Sequence, residues 1–296
     1  MSDSDILIDA DEQAGETPVY KTLEPVERER SSRFVRTFDS APQGLICPHF
    51  YELHLTKGCP YNCDYCYLRT SSHDNFRPIL FTNPWKKIEQ ELESFTQGVF
   101  NTGERADSLA FYNDNTIKAI KYFSRQKEKY LLLLTKSDNH ELFKTLKPSK
   151  NVIVSFSVNC NEAAEQFEHC APPPRKRLKA ARKLIEAGWR VRIRLDPVIE
   201  EIGLKFYKDI CKDISEVEAE RVTVGTLYQV PGTAQTNLFH LLIESPEGIL
   251  RYPDQYRYNI YVRIAEWLGF EPSICQEAMK IWKKLGWKFQ GCNCTE

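Results

Sequence analysis

An α/β protein built on a parallel sheet is what this sequence predicts, on three observations. Strand-like and helix-like patterns alternate through the middle two-thirds of the chain, as they do where right-handed crossovers link parallel strands. Two of the strand-like runs, 130–135 and 152–158, are continuously apolar, which suits strands buried on both faces. The intervening helical patterns carry start and stop signals of separate short helices.

Taken in order, Tyr51-Glu52-Leu53-His54-Leu55-Thr56 alternates apolar and polar residues and reads as the first strand. Asn83-Pro84-Trp85 then opens a helix, with Asn83 as N-cap, Pro84 in the first turn, Ile88, Leu92 and Phe95 on one face, and Gly98 closing it. Ser108 to Tyr112 reads as a second short strand, and Ile117, Ile120 and Phe123 mark the next helix. After the two apolar strands, Arg175 to Ala187 forms a helix with Leu178, Ala181, Leu184 and Ile185 on one side and Gly188 at its end. Trp189, Val191, Ile193 and Leu195 alternate with Arg190, Arg192 and Arg194 in a fifth strand; Ile202 to Ile214 supplies a helix and Arg221 to Gly225 a sixth strand. Beyond these six units, Tyr258, Tyr261, Ile264, Ala265 and Leu268 share a helical face. Ser273 with Gln276 makes a capping box before a helix carrying Met279 and Trp282. The chain therefore divides into a polar, acidic and partly disordered arm (1–45), an α/β unit (46–230) and a mostly helical C-terminal extension (231–296). Within the arm, residues 1 to 20 are acidic enough to be loose, and the core is expected to begin near Cys47.

The chain has 296 residues, 42% of them hydrophobic, which is enough for one large α/β domain. No run approaches the roughly 18 apolar residues of a membrane helix, and the acidic N-terminus lacks the basic-then-apolar pattern of a signal peptide, so a cytoplasmic location without membrane contact is expected. There, ten cysteines point to metal ligands, reactive thiols or buried small hydrophobes in preference to disulfides. With 40 basic and 41 acidic residues the net charge is −1, which excludes the electrostatic footprint of a general nucleic-acid binder; such contact would need a local patch.

Cys59, Cys63 and Cys66 sit in one loop directly after the first strand, spaced Cys-x3-Cys-x2-Cys. Thiolates are soft ligands suited to iron–sulfur clusters, and a cubane cluster normally takes four, one per iron, so three leave one iron open for a small molecule. Zinc is the competing reading, but a structural zinc usually takes four ligands, often as two close pairs, and no fourth partner is evident nearby.

The loop, with Tyr65 before its last cysteine, resembles the radical S-adenosylmethionine (SAM) superfamily. The run Tyr65-Cys66-Tyr67-Leu68 is similar to its spore photoproduct lyase branch. The resemblance spans about residues 50–230. It implies a partial (β/α)6 TIM-type barrel with the site at the C-terminal ends of its strands, and a [4Fe-4S] cluster on Cys59, Cys63 and Cys66 with SAM on the open iron. The implied activity is that of a lyase or hydrogen-abstracting enzyme. An electron from an external flavodoxin- or ferredoxin-type donor would cleave SAM reductively to a 5′-deoxyadenosyl radical that abstracts hydrogen from a substrate.

The same resemblance implies roles for further residues. Tyr65 packs near the adenine, Glu104 meets the methionyl amine, Lys136 meets the SAM carboxylate, and Ser157 and Asn159 point toward cofactor or substrate. Tyr65 and Tyr67 match tyrosines that relay hydrogen in the branch, which makes Tyr67 a candidate catalytic residue. A cysteine is expected as hydrogen donor, yet by-eye alignment puts Glu104 at its position, so Cys160, just past the fourth strand, or the Cys292/Cys294 pair is a candidate replacement. That pair could instead cap the site or bind a second metal, and its spacing does not choose. Arg190, Arg192 and Arg194 could meet phosphates, or pair with acids such as Glu186, Glu200 and Glu201; Arg194, at the strand end, is taken as a site candidate, whereas the basic residues of 175–183 read as a solvated face. The implied substrate is a DNA photolesion. The alternatives are radical modification of a nucleotide, peptide or natural product, or a non-catalytic iron–sulfur or zinc module.

Overall fold

The computed structural model of the chain describes residues 24–39, 41–68, 77–230 and 239–296. The acidic stretch 1–20 therefore lies outside the described residues. The architecture is a mixed α/β fold around one eight-stranded sheet. Its strands are β1 (Val35–Thr37), β2 (Tyr51–Leu53), β3 (Gly98–Asn101), β4 (Lys129–Thr135), β5 (Val152–Val158), β6 (Arg190–Val198), β7 (Arg221–Thr226) and β8 (Ser273–Ile274). They lie side by side in chain order, from β1 at one edge to β8 at the other. Every neighbouring pair is parallel except β1 with β2, which is antiparallel.

Helices fill the crossovers: α1 (Trp85–Glu93), α2 (Asp114–Phe123), α3 (Asn161–Phe167), α4 (Pro174–Glu186), α5 (Tyr207–Ser215) and α6 (Asp254–Leu268), followed by α7 (Met279–Leu285). Between β4 and β5 there is only a short 3-10 segment, Glu141–Thr145. The alternation of the strands decides which side packs on the helices. Leu131, Leu133, Val154, Phe156, Val191, Ile193 and Val224 belong to the main core and are all fully or almost fully buried. The intervening residues form the inner face, where Leu132, Ile153 and Val99 meet Phe38, Phe50, Cys292 and Cys294. A one-residue slip of β6 would drive Arg192 and Arg194 into the helix-facing core, so register is strongly fixed.

Several local expectations are corrected. Ser108–Tyr112 is not a strand; the second parallel strand is β3, and Gly98 begins it instead of closing a helix. Ser108 is used otherwise, its hydroxyl 2.7 Å from Thr102 Oγ1 and accepting from Leu134 N–H at 3.0 Å. Asn83 does not cap α1; its side chain brackets the Arg30 backbone, accepting from its N–H at 2.7 Å and donating to its carbonyl at 3.1 Å. The Ser273/Gln276 capping box does not form, because Ser273 lies in β8 and Gln276 adopts φ 43°. The core starts before Cys47: Phe34 and Val35 are buried, and the β1 backbone joins β2. The C-terminal region holds two helices but also contributes β8 to the main sheet, and Glu277–Ala278 pairs with Leu45–Ile46.

Candidate active site

One cavity opens where the parallel strands end. Its walls come from the loop after β2, from Gly103 and Glu104 after β3, from Thr135 and Lys136 at the end of β4, from Ser157 on β5, and from Arg194 and Asp196 on β6. Cys59, Cys63, Cys66, Tyr65 and Tyr67 all line it. Of the candidate residues named from sequence, Asn159, Cys160, Arg190 and Arg192 do not line it.

The cysteine loop is stitched to the segment that follows α3. Cys63 forms a backbone bridge with Glu168, Asp64 N–H donates to the Phe167 carbonyl at 3.0 Å, and Cys170 N–H donates to the Tyr61 carbonyl at 3.2 Å. Within the loop, Cys66 N–H reaches the Cys63 carbonyl at 3.1 Å, and Asn62 takes φ 48°, a left-handed conformation that asparagine tolerates better than most residues. His169 Nε2 sits 2.9 Å from Asp64 Oδ2. The three thiols are thus presented by a tethered backbone.

Glu168 is the centre of that tether, and sequence reasoning missed it. Its fully buried carboxylate accepts from the Tyr65 hydroxyl and the Arg177 guanidinium, and from Lys136 Nζ at 3.0 Å. Burial alone would push this carboxyl up, but the Arg177 and Lys136 cations together with the Tyr65 hydroxyl bring it down to about 2. The Lys136 ammonium also lies 5.4 Å from the centre of the Tyr65 ring. Arg177, read from sequence as part of a solvated helix face, is buried, because its stem crosses under the loop to Glu168 and to the Ser157 carbonyl at 3.1 Å. No local spacing signals this partnership, since Glu168 lies 103 residues from Tyr65 and 32 from Lys136.

Asp107 is a second carboxylate, half-buried, that sequence reasoning passed over. It accepts from Thr135 Oγ1 at 2.7 Å, Lys136 N–H at 2.6 Å and Leu109 N–H at 3.0 Å, so it fixes the end of β4. Glu104 is reached by the Tyr67 hydroxyl, which donates to its backbone carbonyl. Enclosure raises the Glu104 carboxyl above its ordinary value, against the pull of Arg194. Gly103 is needed here for a close approach: a Cβ would lie 2.5 Å from Leu134 Cβ and 2.7 Å from its carbonyl oxygen. Gly103→Ala should therefore lower stability by about 1–3 kcal/mol through overpacking, readable as a lower urea midpoint with an unchanged slope.

The arginine row is divided. Arg190 and the buried Arg192 both pair with Glu220, and neither lines the cavity; Glu186, Glu200 and Glu201 are not their partners. Arg194 does line it, 3.2 Å from Asp196 and donating to Cys275 Sγ at 2.8 Å. Asn159 does not line the cavity; its amide donates to the Pro197 carbonyl at 2.9 Å and its side-chain oxygen accepts from Cys160 N–H at 3.0 Å. Cys160 does not line the cavity either. It is buried in the main core at the start of α3, and burial pushes its thiol up to about 11, which suits a packed, inert sulfur.

The donor chemistry fits an iron–sulfur cluster. Among the described residues the loop gives the cavity three thiols and no imidazole, and Lys136 and Arg177 offset the charge that Cys63 would acquire as a thiolate. As free thiols Cys59 and Cys63 are pushed up, mainly by burial, and a bound metal deprotonates such thiols outright.

Comparison with known proteins gives a concordant picture. A family model described as spore photoproduct lyase matches residues 46–228. Spore photoproduct lyase of Clostridium acetobutylicum is 25% identical over 179 residues, covering 56% of this chain and 52% of that protein. For the Geobacillus sp. enzyme of the same name the values are 22% over 193 residues, 58% and 54%. The chain spans about half the length of these curated relatives. Among solved structures, spore photoproduct lyase complexed with dinucleoside spore photoproduct superposes with a TM-score of 0.66 at 17% identity, covering 84% of this chain and 81% of that one. A variant with bound AdoMet and dinucleoside spore photoproduct gives the same TM-score and identity, covering 84% and 80%. At this identity the structural likeness speaks for the fold.

Proposed function

Because this chain belongs to the spore photoproduct lyase family, we propose that it is a radical SAM enzyme whose reaction takes place in the cavity described above. The observation that carries this reading is the convergence of Cys59, Cys63, Cys66, Tyr65, Tyr67, Glu104, Lys136, Ser157 and Arg194 on one cavity at the C-terminal strand ends. The six successive parallel strands β2 to β7 support the partial (β/α)6 barrel expected from sequence.

Cys59, Cys63 and Cys66 would hold a [4Fe-4S] cluster. With SAM bound, the pair would supply one-electron reductive cleavage and hydrogen-atom abstraction. The protein's own contribution is placement. Glu168, ionised at neutral pH, accepts from the Tyr65 hydroxyl and so keeps that ring against the cavity beside Cys66. Lys136 already neutralises Glu168 and presents its ammonium over the Tyr65 ring, where it can also meet the carboxylate of an amino acid. Glu104 offers a carboxyl to an ammonium, held by the Tyr67 hydroxyl at its carbonyl. Ser157 is a neutral donor on the same wall.

The substrate we infer is a nucleotide lesion of the dinucleoside spore photoproduct class, which the structural relative is complexed with. A specific observation favours a second reading, radical modification of another nucleotide, peptide or natural product. Glu104, at the place expected for the donor cysteine, lines the cavity, and Cys160 does not. The electron would come from an external flavodoxin- or ferredoxin-type partner. We also propose a cytoplasmic location; no helix among the described residues is long and apolar enough to cross a membrane.

The reading is tested by anaerobic loading with iron and sulfide, followed by dithionite and SAM. Release of 5′-deoxyadenosine is expected from the wild type, with Cys63→Ala lowering it by at least about 10³-fold. Release that is absent from the wild type, or equal in the variant, overturns the proposal. Deuterium passing from a labelled dinucleoside spore photoproduct into 5′-deoxyadenosine selects the first substrate reading, and SAM cleavage without transfer selects the second.

A further inference from the structure

Four cysteines that the reaction above does not use share its cavity. Cys47, Cys275, Cys292 and Cys294 come from three distant segments and all line the wall around Arg194. Cys292 and Cys294 are near enough to perturb one another, Cys275 lies within electrostatic reach of both Cys292 and Cys47, and Arg194 Nη2 donates to Cys275 Sγ at 2.8 Å.

Their backbones are held more firmly than packing of thiols requires. Asn293, between two of them and fully buried, donates to Ser155 Oγ and to the Ile193 carbonyl, each at 2.9 Å, and exchanges two hydrogen bonds with the Thr223 side chain at 2.8 and 3.0 Å. Arg221 reaches the Cys292 carbonyl at 2.7 Å and Arg192 the Asn293 carbonyl at 2.9 Å. Cys275 N–H donates to the Val224 carbonyl at 2.8 Å. The Leu45–Ile46 pairing with Glu277–Ala278 brings Cys47 and Cys275 to the same place. Three sheet strands are thus committed to positioning one Cys-x-Cys.

We propose that Cys47, Cys275, Cys292 and Cys294 ligate a second iron–sulfur cluster. Four soft donors make up the set a cubane cluster takes, one thiolate per iron. Zinc, which also takes four thiolates, is the competing occupant. A cubane requires its thiolates arranged around it, each at its own iron. Four thiolates would make the site anionic, and Arg194, whose side chain is 12% exposed, is the cation on that wall that offsets this. The inference uses a separate set of cysteines, so it stands or falls independently of the SAM-cleaving reading.

The test is iron and acid-labile sulfide content after anaerobic loading with ferrous iron and sulfide, for three proteins. Roughly eight irons are expected in the wild type, and roughly four in each of Cys59→Ala/Cys63→Ala/Cys66→Ala and Cys292→Ser/Cys294→Ser. The first variant should retain the visible absorption and reduced-state EPR signal of a cluster. A first variant that folds but holds no iron, or holds zinc in its place, overturns the proposal. Should that variant fail to fold, the second decides alone: an iron count equal to the wild type, at roughly four, would sink the second cluster and leave the first standing.

Discussion

Glu168→Gln should cost the folded state about 3–5 kcal/mol, because it leaves the buried Arg177 guanidinium and the Lys136 ammonium without their shared counter-charge. The same residue predicts an acid limb. Its carboxyl titrates at about 2 in the folded chain against an ordinary 4.5. Its contribution, on the order of 3 kcal/mol by linkage, is therefore complete above about pH 4.5 and is lost as the pH falls toward 2. Urea midpoints taken from pH 6 down to pH 2 should fall over that window in the wild type and fall less in Glu168→Gln. Some slope should remain, since Glu220 is also brought to about 2 by Arg190 and Arg192. Adding Arg177→Met to Glu168→Gln should recover part of the loss, because it removes the fully buried one of the two stranded cations and leaves only the Lys136 ammonium without its partner. A double variant as unstable as the sum of the singles would argue against the buried pair as the cause.

Arg192→Met should release the chain end. Arg192 is fully buried, bonded to the Asn293 and Thr295 carbonyls and paired with Glu220. Its loss should cost about 2–4 kcal/mol, from two carbonyls left short of a charged donor and a carboxylate deprived of one partner. The local consequence is separable from the global one. Limited trypsin digestion under native conditions should cleave after Lys288 far faster in the variant than in the wild type, with mass loss of residues 289–296 before the core is cut. Equal cleavage rates would show that the anchor lies elsewhere.

The parts legible from sequence were those carried by short-range pattern. β4, β5, β6 and β7 announced themselves through apolar runs and alternation, and α2, α4 and α6 through helical spacing. β3 did not, because Val99 and Phe100 are only two apolar residues between a glycine and an asparagine, and their strand character comes from pairing with β2 and β4. The loop thiols were legible because all three ligands lie within eight residues of chain. The Glu168 hub was not, and neither was the meeting of the Cys292/Cys294 pair with Cys47 and Cys275, because each is assembled by the sheet from segments far apart. Arg177 shows the limit most plainly, since five of its neighbours in 175–183 are basic and it alone turns inward.

The attachment of the cysteine loop to residues 167–177 has a consequence for anyone who would borrow the loop. A peptide copied from 57–68 carries every thiol yet leaves behind the Phe167 carbonyl, the Glu168 carboxylate and the Arg177 side chain, none of which lies within its span. Such a graft could capture iron and still present Tyr65 at random. The portable unit is discontinuous, and a transplant that keeps its geometry must bring the loop together with the helix junction over which it is laid.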